Sequence, residues 1–114
     1  MNLLGWMQSM MEGNFSVSQQ EAQRMMDEDA ALCVLDVRTK EEFRQGHIPK
    51  AKNLPLQSLE HLAAQVLPNP DQKILIYCRS GARAKTAVRV LRQMGYTDVM
   101  EFGGLLTWKG KLVK

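Results

Sequence analysis

The stretch that most constrains how this chain folds covers residues 73–94, KILIYCRSGARAKTAVRVLRQM. Residues 74–77 are β-branched, aliphatic or aromatic, as in a strand that is buried on both faces of a sheet. From Ala82 to Met94 the apolar residues recur with helical spacing, and Gly95 follows at a position where glycine commonly ends a helix. A buried strand joined to a helix by a short turn predicts an α/β fold with a parallel sheet.

Cys78 stands where that strand is predicted to end, and Arg-Ser-Gly-Ala-Arg at 79–83 makes the turn into the helix. Backbone N–H groups and the positive end of the helix dipole can converge on an anion at such a turn. Arg79 and Arg83 add two cations, and this combination favours the thiolate form of a cysteine over the thiol. We therefore interpret Cys78 as a nucleophile rather than as an inert buried cysteine.

Residues 77–84, YCRSGARA, resemble the active-site loop of a single-domain rhodanese. Other segments resemble parts of that family in the same order: Leu35–Arg38, Glu42-Phe43, Gly46–Ala51, Asn53–Pro55, and Gly103-Gly104 followed by Trp108. The resemblance extends from about Phe15 to Gly110, with Lys50 in place of the usual glycine of a turn. It implies a rhodanese-like three-layer α/β/α fold around a central, mostly parallel, five-stranded sheet.

The resemblance also implies an activity, that of a thiosulfate sulfurtransferase. Cys78 would carry a covalent persulfide and would pass its outer sulfur from thiosulfate, or another persulfide donor, to a thiol or to cyanide. We expect no metal or other cofactor, and no histidine base is required, because thiolate and persulfide are already nucleophilic and anionic. The resemblance further admits a protein as the sulfur donor or acceptor, and we expect a monomer or a weak dimer.

The same family assigns roles to the residues around the cysteine. The substrate-binding loop would consist of Arg79, Ser80, Gly81, Ala82 and Arg83. The arginines would orient an anionic donor, and the backbone N–H groups of residues 80–82 would stabilise charge on sulfur. Asp36 and Arg38, at the end of another predicted strand, would support the loop from outside, although a purely structural ion pair explains them equally well.

Hydrophobic and turn patterns divide the chain into two parts. Residues 1–13 have apolar positions with helical spacing and are predicted to form an N-terminal amphipathic helical extension. Residues 14–114 are predicted to form one rhodanese domain. Its five predicted strands lie at 15–17, 31–37, 52–54, 74–77 and 99–100, and capping boxes at Ser18/Glu21 and Thr39/Glu42 begin two of its helices.

The distribution of charge suits a small anion. The net charge is +3, yet residues 71–114 alone carry nine Lys and Arg against three Asp and Glu. We expect no nucleic acid partner, because the chain has no recognition motif or aromatic platform beside these cations. We expect no membrane association, since no membrane span is visible. We predict that Cys33 is buried and does not pair with Cys78. Without a disulfide or a visible secretory signal, we expect a cytoplasmic location.

Two other functions fit part of the pattern. Cysteine phosphatases and arsenate reductases also hold an anion next to a cysteine, but the phosphatase arginine follows its cysteine by six positions, where this chain has Ala84. Arg83 comes one position earlier, which predicts a tighter cradle. A non-catalytic rhodanese-like module that binds a protein partner is the second alternative, and the presence of Cys78 counts against it without excluding it.

Overall fold

A computed structural model describes residues 15–114, so the predicted helical extension at 1–13 lies outside the described residues. Within these residues, four strands alternate with four α-helices. In order they are α1 (Gln19–Glu28), β1 (Cys33–Asp36), α2 (Lys40–Gln45), β2 (Lys52–Asn53), α3 (Leu59–Val66), β3 (Ile74–Cys78), α4 (Ala82–Gln93) and β4 (Val99–Gly104). Short 3₁₀ helices at Leu56–Ser58 and Leu105–Thr107 precede α3 and follow β4.

The four strands form one parallel sheet in the order β2-β1-β3-β4. The register pairs Asp36 with Tyr77 at the carboxyl ends of β1 and β3. Residues that follow these two strands therefore meet at one edge of the sheet, which is where open α/β folds build their sites.

Apolar side chains cover both faces of the sheet. On one face α3 and α4 pack against alternate residues of β3, namely Ile74, Ile76 and Cys78. On the other face α1 and Trp108 pack around Leu75 and Tyr77. All five residues of β3 are buried, which explains its uninterrupted apolar sequence. The predicted three-layer α/β/α arrangement is confirmed.

The prediction of a fifth strand at residues 15–17 is wrong. Ser16 forms only an isolated parallel bridge with Glu101, through hydrogen bonds from Val17 N to Glu101 O and from Glu101 N to Phe15 O. Because Ser18 immediately caps α1, the chain turns away before a second residue can pair. The segment lies beside β4 without extending the sheet.

Local signals were otherwise reliable at the helix ends. Thr39 and Glu42 form the full capping box of α2, whereas Ser18 accepts from Glu21 N while the Glu21 side chain pairs with Arg24. Gly95 follows α4 with φ +103°, and Met94, the last residue of the predicted apolar pattern, is 42% exposed because it lies beyond the last residue of α4.

Lys50 confirms the turn suggested by its position in the sequence. Its φ of +70° is the only positive value among the non-glycine residues that the structure describes. A side chain in this region costs roughly 1–2 kcal/mol, so a glycine would fit the same turn with less strain.

Candidate active site

Cys78 ends β3 and lies against the N-terminus of α4. The backbone N–H of Gly81 donates to Cys78 Sγ over 2.9 Å. Gly81 is the N-cap of α4 and adopts φ +110°, which lets the chain reverse tightly around the sulfur. Gly81 has no side chain with which to cap α4, so within residues 15–114 the first amides of this helix remain available to a negatively charged group.

Gly103 and Gly104, at the end of β4, pack against the backbone of the Cys78 loop. Gly104 lies so close to the loop that an added Cβ would be 2.0 Å from the carbonyl oxygen of Arg79. That oxygen also accepts a hydrogen bond from Leu106 N, over 3.1 Å. A Cβ on Gly81 would lie 3.4 Å from the Cα of Gly103. The glycine pair therefore permits a close approach between the backbone of β4 and the Cys78 loop.

Gly104→Ala is expected to displace the loop. Gly104 has an extended φ of −156°, so the effect comes from steric overlap with backbone atoms that cannot rotate away. We expect a loss of at least about 1–3 kcal/mol in unfolding free energy, measured in urea, together with loss of Cys78 reactivity. Gly95→Ala is the control, since it has open space and only an unfavourable φ. Native reactivity in a folded Gly104→Ala protein would contradict this account.

Glu101 is a buried carboxylate that was not predicted as part of the site. It accepts hydrogen bonds from Gly103 N at 2.8 Å and Lys85 Nζ at 3.0 Å, and also from the Ser16 hydroxyl. Glu101 thereby fixes the turn on which the Cys78 loop rests. A charged residue within an otherwise apolar strand was the available signal, and the predicted strand ended too early to include it.

Asp36 and Arg38 form a buried ion pair beside the loop. The guanidinium donates to both carboxylate oxygens over 2.7–3.1 Å, and Arg38 also donates to Gly46 O at 2.7 Å. Asn53, at the end of β2, donates hydrogen bonds to the backbone carbonyl oxygens of Asp36 and Arg38. The pair holds together the chain segments that leave β1, and any direct part in chemistry remains a prediction.

Arg83 forms an ion pair with Glu42, a residue that the sequence predicted only as part of a helix capping box. Its guanidinium donates to the two carboxylate oxygens of Glu42 over 2.7 and 3.0 Å. This hydrogen bonding lowers the pKa of Glu42 to about 2. The pKa of Arg83 is raised, first by Glu42 and also by the nearby charges of Cys78 and Asp36. Arg83 is therefore close to the cysteine and already has an anionic partner.

A cleft of about 410 Å³ opens beside the loop, lined by Arg38, Glu42, Gln45, Arg79, Leu105 and Leu106. Arg79 is exposed, and its side chain has no hydrogen-bond or ion-pair partner within residues 15–114. Leu106 is 66% exposed at the rim. The loop and the first turn of α4 thus carry Cys78, Arg79 and Arg83, and the cleft beside them has an exposed leucine at its rim and, among the described residues, one guanidinium without a partner.

The remaining predictions concern residues away from this cleft. Cys33 is a free, buried thiol in β1, and burial raises its pKa. His47 stacks on Phe43 with ring centroids 3.7 Å apart and hydrogen-bonds through Nδ1 to the carbonyl oxygen of Phe43, so its contacts are with the turn that follows α2. Over residues 15–114, no helix has the length and apolarity to cross a membrane.

Comparison with known proteins agrees with this fold. The model of a family described as the rhodanese-like domain matches residues 18–111. A sulfurtransferase from Allochromatium vinosum is 38% identical over 92 residues, covering 80% of this chain and 83% of that protein. Thiosulfate sulfurtransferase PspE from Escherichia coli is 36% identical over 76 residues, covering 67% and 73%.

A solved structure of the human single-domain sulfurtransferase TSTD1 superimposes with a TM-score of 0.74 at 28% identity. The match covers 84% of this chain and 97% of that one. A Bacillus subtilis relative, 33% identical over 96 residues, is longer, and the chain spans about half of it, 51%.

Proposed function

This chain belongs to the rhodanese-like domain family, and on that premise we propose that it is a sulfurtransferase that works through a persulfide on Cys78. The observation that carries the proposal is the contact of 2.9 Å between Gly81 N and Cys78 Sγ at the uncapped N-terminus of α4. An anionic sulfur is the group that such an arrangement stabilises best.

The proposed reaction has two displacements. The Cys78 thiolate attacks the outer sulfur of thiosulfate, a new S–S bond forms, and the S–S bond to the sulfonate sulfur breaks to release sulfite. An acceptor thiolate or cyanide then attacks the outer sulfur of the Cys78 persulfide. Cleavage of that S–S bond returns the electron pair to Cys78 as thiolate, and the product is a new persulfide or thiocyanate.

The loop residues have distinct parts in this proposal. The outer sulfur would occupy the space before α4, where the N–H groups of residues 80–82 stabilise its negative charge. Arg79 would attract and orient the donor from the cleft. Asp36, Arg38 and Glu101 would act as positioning residues that fix the segments around the loop.

The names of the relatives support this class of chemistry and leave the donor and acceptor open. We propose a small anionic sulfur donor and a thiol acceptor, with a protein persulfide as an additional donor. A reducing compartment such as the cytoplasm would keep Cys78 available as a thiol.

Turnover with defined donors tests the proposed function. The native protein is expected to form thiocyanate from cyanide when supplied with thiosulfate or with the persulfide of 2-mercaptoethanol, and to do so faster than the reaction without protein. Failure with both donors would reject the catalytic proposal and would favour a non-catalytic binding module of the same fold.

A further inference from the structure

Three arginines lie around the Cys78 loop, and two of them already have carboxylate partners. Arg38 pairs with Asp36 at 2.7 Å, and Arg83 pairs with Glu42 at 2.7 Å. In the part of the chain that the structure describes, Arg79 is the one member of the three whose guanidinium has no such partner. The site therefore has less uncompensated positive charge than its sequence suggests.

The small amount of unpaired positive charge at the site affects the binding of sulfur donors according to their own charge. Thiosulfate carries two negative charges and must approach a thiolate that carries another. The persulfide of an uncharged thiol carries at most one negative charge, so it requires less compensation. Because opposite charges close together largely cancel at a distance, the Arg83–Glu42 pair contributes little attraction to an incoming dianion.

The location of Glu42 makes its charge relevant to the reacting sulfur. Glu42 lines the cleft, and the guanidinium that it binds belongs to the first turn of α4, the helix whose N-cap residue, Gly81, contacts Cys78 Sγ. The Glu42 and Arg83 side chains are 27% and 35% exposed, so water screens them only in part. A depressed pKa of about 2 keeps Glu42 ionised throughout the neutral range.

We propose that Glu42 determines donor specificity: it engages Arg83 and thereby favours persulfide donors that carry at most one negative charge over the thiosulfate dianion. The inference rests on the proposed sulfurtransferase function and names the substrate class of that site. In the favoured step, the Cys78 thiolate attacks the outer sulfur of RSSH, the S–S bond of the donor breaks, and RS⁻ leaves. Cys78 then holds the sulfur as Cys78–S–SH.

Glu42→Gln is the most informative substitution. Glutamine keeps the side-chain oxygen that accepts from Thr39 N, and the capping box tolerates it, so α2 should persist. The variant removes the charge that engages Arg83. We expect kcat/KM for thiosulfate to rise about tenfold, the gain of one charge-assisted contact, while kcat/KM for 2-mercaptoethanol persulfide changes less than about twofold.

Glu41→Gln is the matched control. Glu41 is the preceding residue of α2, is exposed, and has no side-chain partner among residues 15–114. The substitution removes the same charge from the same helix turn, and we expect neither donor to change. A rise with Glu41→Gln equal to that with Glu42→Gln would assign the effect to net charge and overturn the inference.

A double variant distinguishes an engaged Arg83 from one that binds the donor directly. Adding Arg83→Ala to Glu42→Gln removes the guanidinium that the first substitution freed, so we expect the gain of about tenfold in thiosulfate kcat/KM to disappear. A loss of about ten- to a hundredfold below the native value would show that native Arg83 contacts thiosulfate, and would reject the inference.

The failure of this inference is distinguishable from failure of the proposed function. A native protein that uses both donors, with a ratio of kcat/KM values unaltered by Glu42→Gln, would overturn only the role of Glu42. A native protein that uses neither donor would reject the proposed function and this inference with it.

Discussion

Replacement of Cys78 by serine is expected to reduce sulfur transfer by at least about a thousandfold, to the rate without protein. A serine hydroxyl of similar size would fit beside Gly81 N, so the loop should keep its conformation. The hydroxyl cannot attack sulfur or hold a persulfide. Thiocyanate formation by Cys78→Ser, compared with the native protein at equal concentration, measures the effect.

Cys33→Ala is the control for this substitution. Cys33 is the second free and buried cysteine, and it lies within β1 rather than in the loop. Its removal should leave kcat unchanged, at a modest cost in stability. A Cys78→Ser protein with a substantial residual rate, or a Cys33→Ala protein with none while still folded, would show that the wrong sulfur has been identified as the nucleophile.

Asp36→Ala is expected to produce the largest loss of stability, about 3–5 kcal/mol in unfolding free energy. Asp36 is fully buried and Arg38 is 6% exposed, so the substitution leaves a buried guanidinium without its carboxylate. Domains of ordinary stability unfold with about 5–15 kcal/mol, so a substantial fraction of the protein could be unfolded. Urea denaturation of the native and variant proteins measures the difference.

The double variant Asp36→Ala with Arg38→Met separates the buried charge from the lost contacts. Because no uncompensated guanidinium remains, the double variant should be more stable than Asp36→Ala alone. A loss below about 1 kcal/mol for Asp36→Ala would show that water reaches Arg38, and that the pair contributes no more than a surface ion pair.

The sequence predicted the central strand and loop well because their signals are local. The apolar run 74–77, the cysteine and Gly81 are adjacent in the chain, and their geometry is set by burial and by one turn. Whether residues 15–17 form a strand depends instead on how many of them pair with β4, and only Ser16 does. A local pattern contains no such information.

The partner of Arg83 was missed for a related reason. Glu42 lies 41 residues away in sequence, and its capping box with Thr39 already accounted for its position. Only the fold reveals that the same carboxylate oxygen that accepts from Thr39 N also contacts Arg83. The charge of a site is therefore harder to predict from sequence than its nucleophile, because it depends on which distant residues pair.

Intact mass of the purified protein tests the central claim most directly. After treatment with 2-mercaptoethanol persulfide or thiosulfate and removal of excess donor, the native protein should gain the mass of one sulfur atom, located by peptide mass on Cys78. Cyanide should return the protein to its starting mass and form an equal amount of thiocyanate. No added sulfur with either donor, or sulfur on Cys33 instead, would contradict a Cys78 persulfide.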